Sequence, residues 1–315
     1  MNSVLHHKTV MVQEALEHVN LKNGDTFLDA TLGGGGHSKA ILEKYDSINV
    51  IGLDKDIQAI NIAKENLEDY KNSISLHNID FSNIDQVIQE NQIKNINAIL
   101  FDLGTSQIQL NDPKRGFSFQ NKSPLDMRMN QNQLTTADEI INNFKESDII
   151  KILSEYGEER YSKTIARLIV AKRPISNTNE LSDLVLSVYK GRSNKKIHPA
   201  TKVFQAFRIA VNSELKMLET ALSKSIKLLK SPGGRLVVIS FHSIEDRIVK
   251  QFFHNESKHC LCDSKLIICN CNHQAKIKLI SKKIIRPSEA EIKKNPSSRS
   301  AKMRVAEIIN ARKAS

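Results

Sequence analysis

Four apolar runs in the first third of the chain, at 25–31, 48–56, 74–81 and 96–104, each end in polar residues or glycine. Helical patterns stand at 10–19, 37–45 and 57–70. This alternation constrains the fold more than any other feature. A helix between two strands carries the chain back across a sheet face, so the strands can lie side by side in parallel. A parallel sheet needs cover on both faces, and its strands read as continuous Ile, Leu and Val runs. The runs "INVIGLD" and "INAILFD" are of this kind. The spacing predicts an α/β, doubly wound parallel sheet. Ligands of such sheets sit beyond the carboxyl ends of the strands. The residues that close each run are therefore the first candidates for a site.

The alternation stops after Gly104. A polar connection, "QLNDPKRGFSFQNKSPLDMRMNQNQLTT", precedes helical signals without strands. Thr136 stands three residues before Glu139, and Asn177 three before Glu180, the spacing of an N-terminal helix cap. Residues 198–230 read as one long amphipathic helix with Pro199 near its start. Strand character returns at 231–243 and 300–309, with a helix at "IEDRIVKQFF" between them. A chain of 315 residues is long enough for a large α/β domain that carries a second one. The expected organisation is an α/β domain made of 1–108 and 209–315, interrupted by a helical, substrate-binding insertion at 109–208.

Gly33, Gly34, Gly35 and Gly36 lie between the first strand and a helix. The dinucleotide fingerprint G-x-G-x-x-G is incomplete there, because its third position falls on Ser38 or Lys39. A phosphate-binding loop is excluded for want of Gly-Lys-Ser/Thr at the right spacing. Ordering a glycine in regular structure costs about 1 kcal/mol relative to alanine. A bound ligand is therefore a stronger reason for four of them than a bare tight turn. Asp54 ends the second run, where a carboxylate can accept both ribose hydroxyls of a nucleoside. Asp80 and Phe81 end the third, where a polar group and an aromatic face could hold adenine. Asp102 ends the fourth. Solvated strand ends are the plainer account of Asp54 and Asp102, and a core aromatic that of Phe81. Taken together, the set suits adenosine without a pyrophosphate and points to S-adenosylmethionine. Its methionine carboxylate and amine would lie against the glycines and the helix N-terminus near His37. "SFHS" ends the returning strand, which places His242 and Ser243 at the same end of the sheet; a structural role for His242 is equally open, and catalysis is not assigned to it.

The formal net charge is +11 and the sequence pI about 9.4. Such a field attracts polyanions, nucleic acid first among them. Lys195, Lys196, Lys202 and Arg208 alternate with Phe204 and Phe207. The bases could neutralise phosphates and the rings could stack on nucleobases, although helical spacing also suits core phenylalanines. The 276–304 stretch is strongly basic, and Arg299 stands among serines that suit a phosphate. The first twenty residues do not read as a signal peptide, and no run is long enough to cross a bilayer, so a cytoplasmic protein without membrane contact is expected. Cys260, Cys262, Cys269 and Cys271 form two C-x-C pairs flanked by His259 and His273. Four thiolates can hold zinc, but the usual spacing is C-x-x-C. No metal is assigned on sequence alone, and these cysteines stand as candidates beside the alternative of free thiols in a loop.

The motifs "DATLGGGGHS", "GLDKD", "DLGTSQIQL", "RGFSF", "PLDMRM", "YGEER", "HPATKVFQAFRIAVNSEL", "GGRLVVISFHSIEDRIVK" and "NPSSRSAKMRVAE" occur in this order. Together they resemble the 16S ribosomal RNA (cytosine-N4)-methyltransferases of the MraW type, nearly end to end. The resemblance implies a class I (Rossmann-like) methyltransferase sheet with a helical insertion and S-adenosyl-L-methionine as methyl donor. The acceptor it implies is the exocyclic amine of one cytidine in the decoding region of the small-subunit RNA, with 16S rRNA as partner and no DNA. It carries cofactor binding to Gly35, Gly36, His37, Asp54, Phe81, Asp102 and Gln109. Asp102 is also the candidate acceptor for an amine N–H, or else only a holder of the cofactor. A nicotinamide oxidoreductase would need the missing third glycine. A DNA cytosine-N4 methyltransferase usually has Ser/Asp-Pro-Pro-Tyr/Trp where "DLGTS" stands. A non-catalytic RNA-binding protein would have no use for the nucleoside pocket.

Overall fold

The computed structural model describes residues 9–189, 198–263 and 270–309. The chain divides into two compact units, Met1–Gly104 with Lys216–Ser315, and Thr105–Leu215. The second unit brackets the 109–208 insertion expected above.

The first unit begins with α1 (Val12–His18), β1 (Thr26–Asp29), α2 (Gly36–Lys44), β2 (Asn49–Asp54), α3 (Ile57–Asn66), β3 (Ile74–Asn78), α4 (Ile84–Glu90) and β4 (Ala98–Asp102). Each strand ends within two or three residues of the polar or glycine closure read in the sequence. Asp56 starts α3 by accepting the Gln58 amide at 3.1 Å, which satisfies one of the donors a helix N-terminus leaves open.

The second unit holds α5 (Gln107–Asn111), α6 (Ala137–Asn143), α7 (Glu146–Gly157), α8 (Ser162–Ala171), α9 (Thr178–Val188) and α10 (Ala200–Asn212). Both expected caps form: Thr136 Oγ1 accepts the Glu139 amide at 3.1 Å and Asn177 Oδ1 the Glu180 amide at 3.1 Å. The core includes Ile149, Leu153, Ile165, Ile169, Leu181, Val203 and Phe207. The polar connection before α6 is no solvated linker, because Phe117, Leu125, Met127 and Met129 join this core. Arg115, fully buried, makes that possible by donating Nη2 to the carbonyls of Arg128 and Met129 at 2.8 and 3.1 Å.

The chain then continues through α11 (Glu214–Leu228), β5 (Arg235–Ser240), α12 (Ser243–Glu256), β6 (Ile277–Leu279), α13 (Glu289–Lys294) and β7 (Lys302–Ile308). The single helix expected over 198–230 is two, α10 and α11, broken at Ser213 with φ 51°. The cause lies one residue earlier. Asn212 is buried, and its amide side chain bonds the backbone of Met127, Met129 and Arg208, so the turn stops where these bonds are made.

Among the described residues the sheet has seven strands in the order β3-β2-β1-β4-β5-β7-β6. β1 to β5 pair in parallel, whereas β7 runs antiparallel to both β5 and β6. The parallel pairing expected of the first four strands is observed, and the reversed strand is the one at 302–308. The link from β6 to β7 carries short α13 and a 3-10 turn at Pro296–Ser300, and β7 enters between β5 and β6, reversed against both. Strand residues alternate between two cores. Leu28, Ile51, Leu53, Ile99, Phe101 and Val238 face α4, α11 and α12, while Phe27, Val50, Leu100, Val237 and Ile239 face α2 and α3. The sheet is therefore covered on both sides, and only its strand ends remain for a ligand. This strand order with one reversed strand is that of the class I, Rossmann-like methyltransferase fold.

Candidate active site

Three carboxylates collect at the carboxyl ends of β1, β2 and β4. Asp29 is 1% exposed, with Oδ2 accepting from Ser38 Oγ at 2.8 Å and Oδ1 from the Thr31 amide at 3.3 Å. Burial raises its pKa to about 6, opposed by the Ser38 bond and helped by the charge of Asp54. Asp54 accepts the Gly33 amide on Oδ2 and the Asp56 amide on Oδ1, both at 2.9 Å. Burial raises it too, to about 6, although those two amides hold it down. Asp102 is raised well above the ordinary carboxylate value, first by burial and then by the negative charges of Asp29, Glu245 and Glu291. Its Oδ1 is buried without a hydrogen-bond partner. Its amide donates to Thr31 Oγ1 at 2.6 Å, which ties the end of β4 to the turn after β1.

The glycine turn sits against these acids. Gly35 caps α2 with φ +83°, and a Cβ there would stand 2.7 Å from Leu67 Cδ1. A Cβ on Gly36 would overlap Thr9 Oγ1. Both therefore have reasons inside the chain to be glycine, beyond the ligand invoked from the sequence. Gly33 donates to Asp54, and the Gly34 carbonyl accepts Asn66 Nδ2 at 2.9 Å. His37, in the first turn of α2, is 5% exposed. Its Nε2 lies 3.0 Å from the Val10 carbonyl and its Nδ1 3.8 Å from Asp102 Oδ2. A bond to a carbonyl requires the proton on Nε2, so Nδ1 is the atom turned to Asp102.

Phe81 follows β3 and packs edge-on against Phe101, with centroids 5.6 Å apart. Asp80 caps the turn containing Phe81 by accepting the Ser82 amide at 2.7 Å, and its Oδ2 stands 3.8 Å from Lys55 Nζ. His242 is the cap of α12: its Nδ1 accepts the Glu245 amide at 3.3 Å, while Glu245 Oε2 accepts the Phe241 amide at 2.9 Å. The structural account of His242 thus has a geometry. Gln109 belongs to the second unit, where it closes a capping box with Ser106 at the start of α5; its carbonyl accepts the Ser106 amide at 3.2 Å. Sequence reasoning passed over Asp29, although "LDAT" ends its strand in an acid as "GLD" and "LFD" do. Glu245 and Glu291 carried no such signal, since their approach to Asp102 depends on chain folded from the other end of the sequence.

The candidate RNA contacts fare unevenly. Phe204 and Phe207 are 4% and 0% exposed in the core of the second unit, so neither offers a face for stacking. Arg208 is tied bidentately to Glu214 at 2.9 and 3.0 Å, and Lys202 Nζ donates to the Glu158 carbonyl at 2.9 Å. Lys195 and Lys196 lie outside the described residues. In the 276–304 stretch, Lys276 pairs with Glu256, Lys278 with Glu307, and Lys302 and Arg304 with Asp246. Arg299 remains exposed. Cys260, Cys262 and Cys271 come together with their sulfurs within 4.8 Å of one another; Cys269 lies outside the described residues. Among the described residues no helix is long and apolar enough to cross a membrane.

Comparison with known proteins finds relatives over nearly the whole chain. A protein called ribosomal RNA small subunit methyltransferase H from Dehalococcoides mccartyi is 46% identical over 304 residues, covering 96% of this chain and 86% of that one. Proteins of the same name from Carboxydothermus hydrogenoformans and Clostridium botulinum are 44% and 45% identical over 307 residues, covering 96% of this chain and 98% and 99% of theirs. A solved rRNA methylase from Streptococcus thermophilus is far more remote, with 10% identity, a TM-score of 0.43 and coverage of 96% and 98%. The match to the MraW methylase family runs over residues 4–309, and the chain belongs to that family.

Proposed function

We propose that this chain transfers a methyl group from S-adenosylmethionine to the exocyclic N4 amine of a cytidine in the decoding region of 16S ribosomal RNA. Membership of a methylase family supports the reaction class, and the names of the relatives support the RNA. The observation that carries the cofactor is the acid cluster. Asp29 is buried and Asp54 and Asp102 are half-buried beside it, and each is driven toward its neutral form. A ligand that brings positive charge relieves them, and one that brings phosphate aggravates them. S-adenosylmethionine carries a sulfonium and an ammonium. A nicotinamide dinucleotide carries two phosphates, which disfavours the oxidoreductase reading.

The residues present fit this cofactor. Asp54 offers its remaining lone pairs to ribose hydroxyls, Phe81 an apolar face to adenine, and the first amides of α2 at Gly36 and His37 a seat for a carboxylate. The orphaned Oδ1 of Asp102 lacks the donor that an ammonium or an amine N–H would supply. Once bound, S-adenosylmethionine supplies a methyl on a cationic sulfur, already strongly electrophilic. What the protein must add is position and a place for a proton. The amine of cytosine is a weak nucleophile because its lone pair is delocalised into the ring. Holding it in line is worth several kcal/mol, and an acceptor for one N–H lets the nitrogen pyramidalise. Asp102 is the assigned acceptor. A cation beside it returns it to the carboxylate form, so it accepts only when the site is loaded. The target base must leave its stack, at a cost of a few kcal/mol unless it is already unpaired.

The test is labelled-methyl transfer to small subunits from cells that lack the enzyme, with the modified nucleoside mapped. Label on N4 of one cytidine is expected. Label on a ring carbon, or on DNA in preference, would overturn the assignment. Asp102→Ala separates its two roles: turnover at saturating cofactor collapses if it accepts the N–H, and only cofactor affinity falls if it merely holds the ligand.

A further inference from the structure

The cysteine cluster lies apart from the chemistry above and has a geometry of its own. Cys260 and Cys262 follow the end of α12, and Cys271 precedes β6. Their three sulfurs lie within 4.8 Å of one another, and those of Cys260 and Cys271 are 3.7 Å apart. With zinc–sulfur bonds of about 2.3 Å, tetrahedral geometry sets sulfurs about 3.8 Å from each other. Backbone amides are already aimed at two of them: Cys262 N donates to Cys260 Sγ at 3.3 Å, and Leu261 N to Cys271 Sγ at 3.4 Å. Amide donors stabilise a sulfur that carries negative charge, as a metal-bound thiolate does.

The surrounding chain gives the site a purpose. The excursion 257–275 is tied at its base, where the Lys276 amide meets the Glu256 carbonyl at 2.8 Å and His273 Nε2 lies 3.0 Å from the Asn255 carbonyl. Beyond that base, Ala275 is the one buried hydrophobic among its described residues, and Leu261 is 45% exposed. Apolar burial therefore does not order it, yet three thiols converge. Small loops without a core of their own are commonly held by a metal.

We propose that Cys260, Cys262 and Cys271 hold a zinc ion as thiolates, a structural site that clips the excursion between α12 and β6. Each thiol loses its proton to solvent on binding. The C-x-C repeat pairs Cys271 with Cys269, whose own position lies outside the described residues. Sulfur separations this short suit one tetrahedral cation rather than a cluster of several irons.

The test uses the full chain, made under reducing, oxygen-poor conditions without chelator. Elemental analysis should find about one zinc per chain, retained through gel filtration and released by a mercurial that caps thiols. Replacing it with cobalt should produce thiolate-to-cobalt charge-transfer absorption. The double variant Cys260→Ser, Cys271→Ser should lose at least about nine-tenths of the zinc while S-adenosylhomocysteine binding stays as in the wild type. A wild-type chain that takes up no zinc when offered it, that carries iron instead, or that forms a Cys260–Cys271 disulfide as made would overturn the proposal. None of these outcomes depends on methyl transfer.

Discussion

Asn212 and Asp102 are polar groups drawn in from solvent, one in each unit, the first buried and the second half-buried, and the protein treats them in opposite ways. Asn212 is 2% exposed and fully engaged: Oδ1 accepts the Met129 amide at 2.8 Å, and Nδ2 donates to the carbonyls of Met127 and Arg208 at 2.7 and 2.9 Å. Asp102 keeps an orphaned oxygen and stands among like charges. A satisfied buried amide costs little and fixes a unique arrangement of the backbone around it. An unsatisfied acid cluster costs stability and persists where a ligand repays it. In this pair the satisfied group holds the fold and the unsatisfied one lies at the candidate site.

The largest effect should come from Asp54→Ala. If Asp54 accepts two ribose hydroxyls as proposed, its removal should weaken S-adenosylhomocysteine binding about a thousandfold, or about 4 kcal/mol, by calorimetric titration. Unchanged affinity would break the functional side of the comparison. Next, Asn212→Ala should lower stability by about 3 kcal/mol in denaturant unfolding, because it strands buried backbone groups. A loss below about 1 kcal/mol would break the architectural side.

The pH response sharpens the contrast. Asp29 and Asp54 sit at about 6 in the fold against an ordinary 3.8. Between those values the folded chain holds protons that the unfolded chain has lost. This stability is complete below the unfolded value and is lost as pH rises through about 6. Cofactor-free protein should therefore lose up to about 3 kcal/mol for Asp29 between about pH 4 and 7, and Asp29→Asn should flatten that slope. Cofactor affinity should run the other way, tightening about tenfold from about pH 5 to 7 as the acids ionise toward a cationic ligand. Parallel trends would contradict the charge argument. The smallest effect is expected from Ser213→Gly, within about 1 kcal/mol of wild type, since glycine relieves φ 51° and adds freedom to the unfolded chain.

The placement of much of the candidate site was legible because strand-end acids sit at fixed places relative to an apolar run. Asp54 and Asp102 close their strands as read, and the glycine turn leads into α2 as read. The break at Ser213 was hidden because the amphipathic pattern runs through it, and the partners of Asn212 lie more than eighty residues away. The core roles of Phe204 and Phe207 were ambiguous for a related reason: helical spacing shows which face a ring shares, but not what covers that face.

The sequence alone determined the layered α/β class, the helical interruption and which residue types end the strands. These follow from local periodicity and from the chemistry of single residues. Tertiary structure alone decided that β7 runs backwards, that four basic residues near the C-terminus are already paired, and that three cysteines meet. Each of those depends on which distant segments share a few ångströms, and charge, burial and coordination are properties of that proximity rather than of order along the chain.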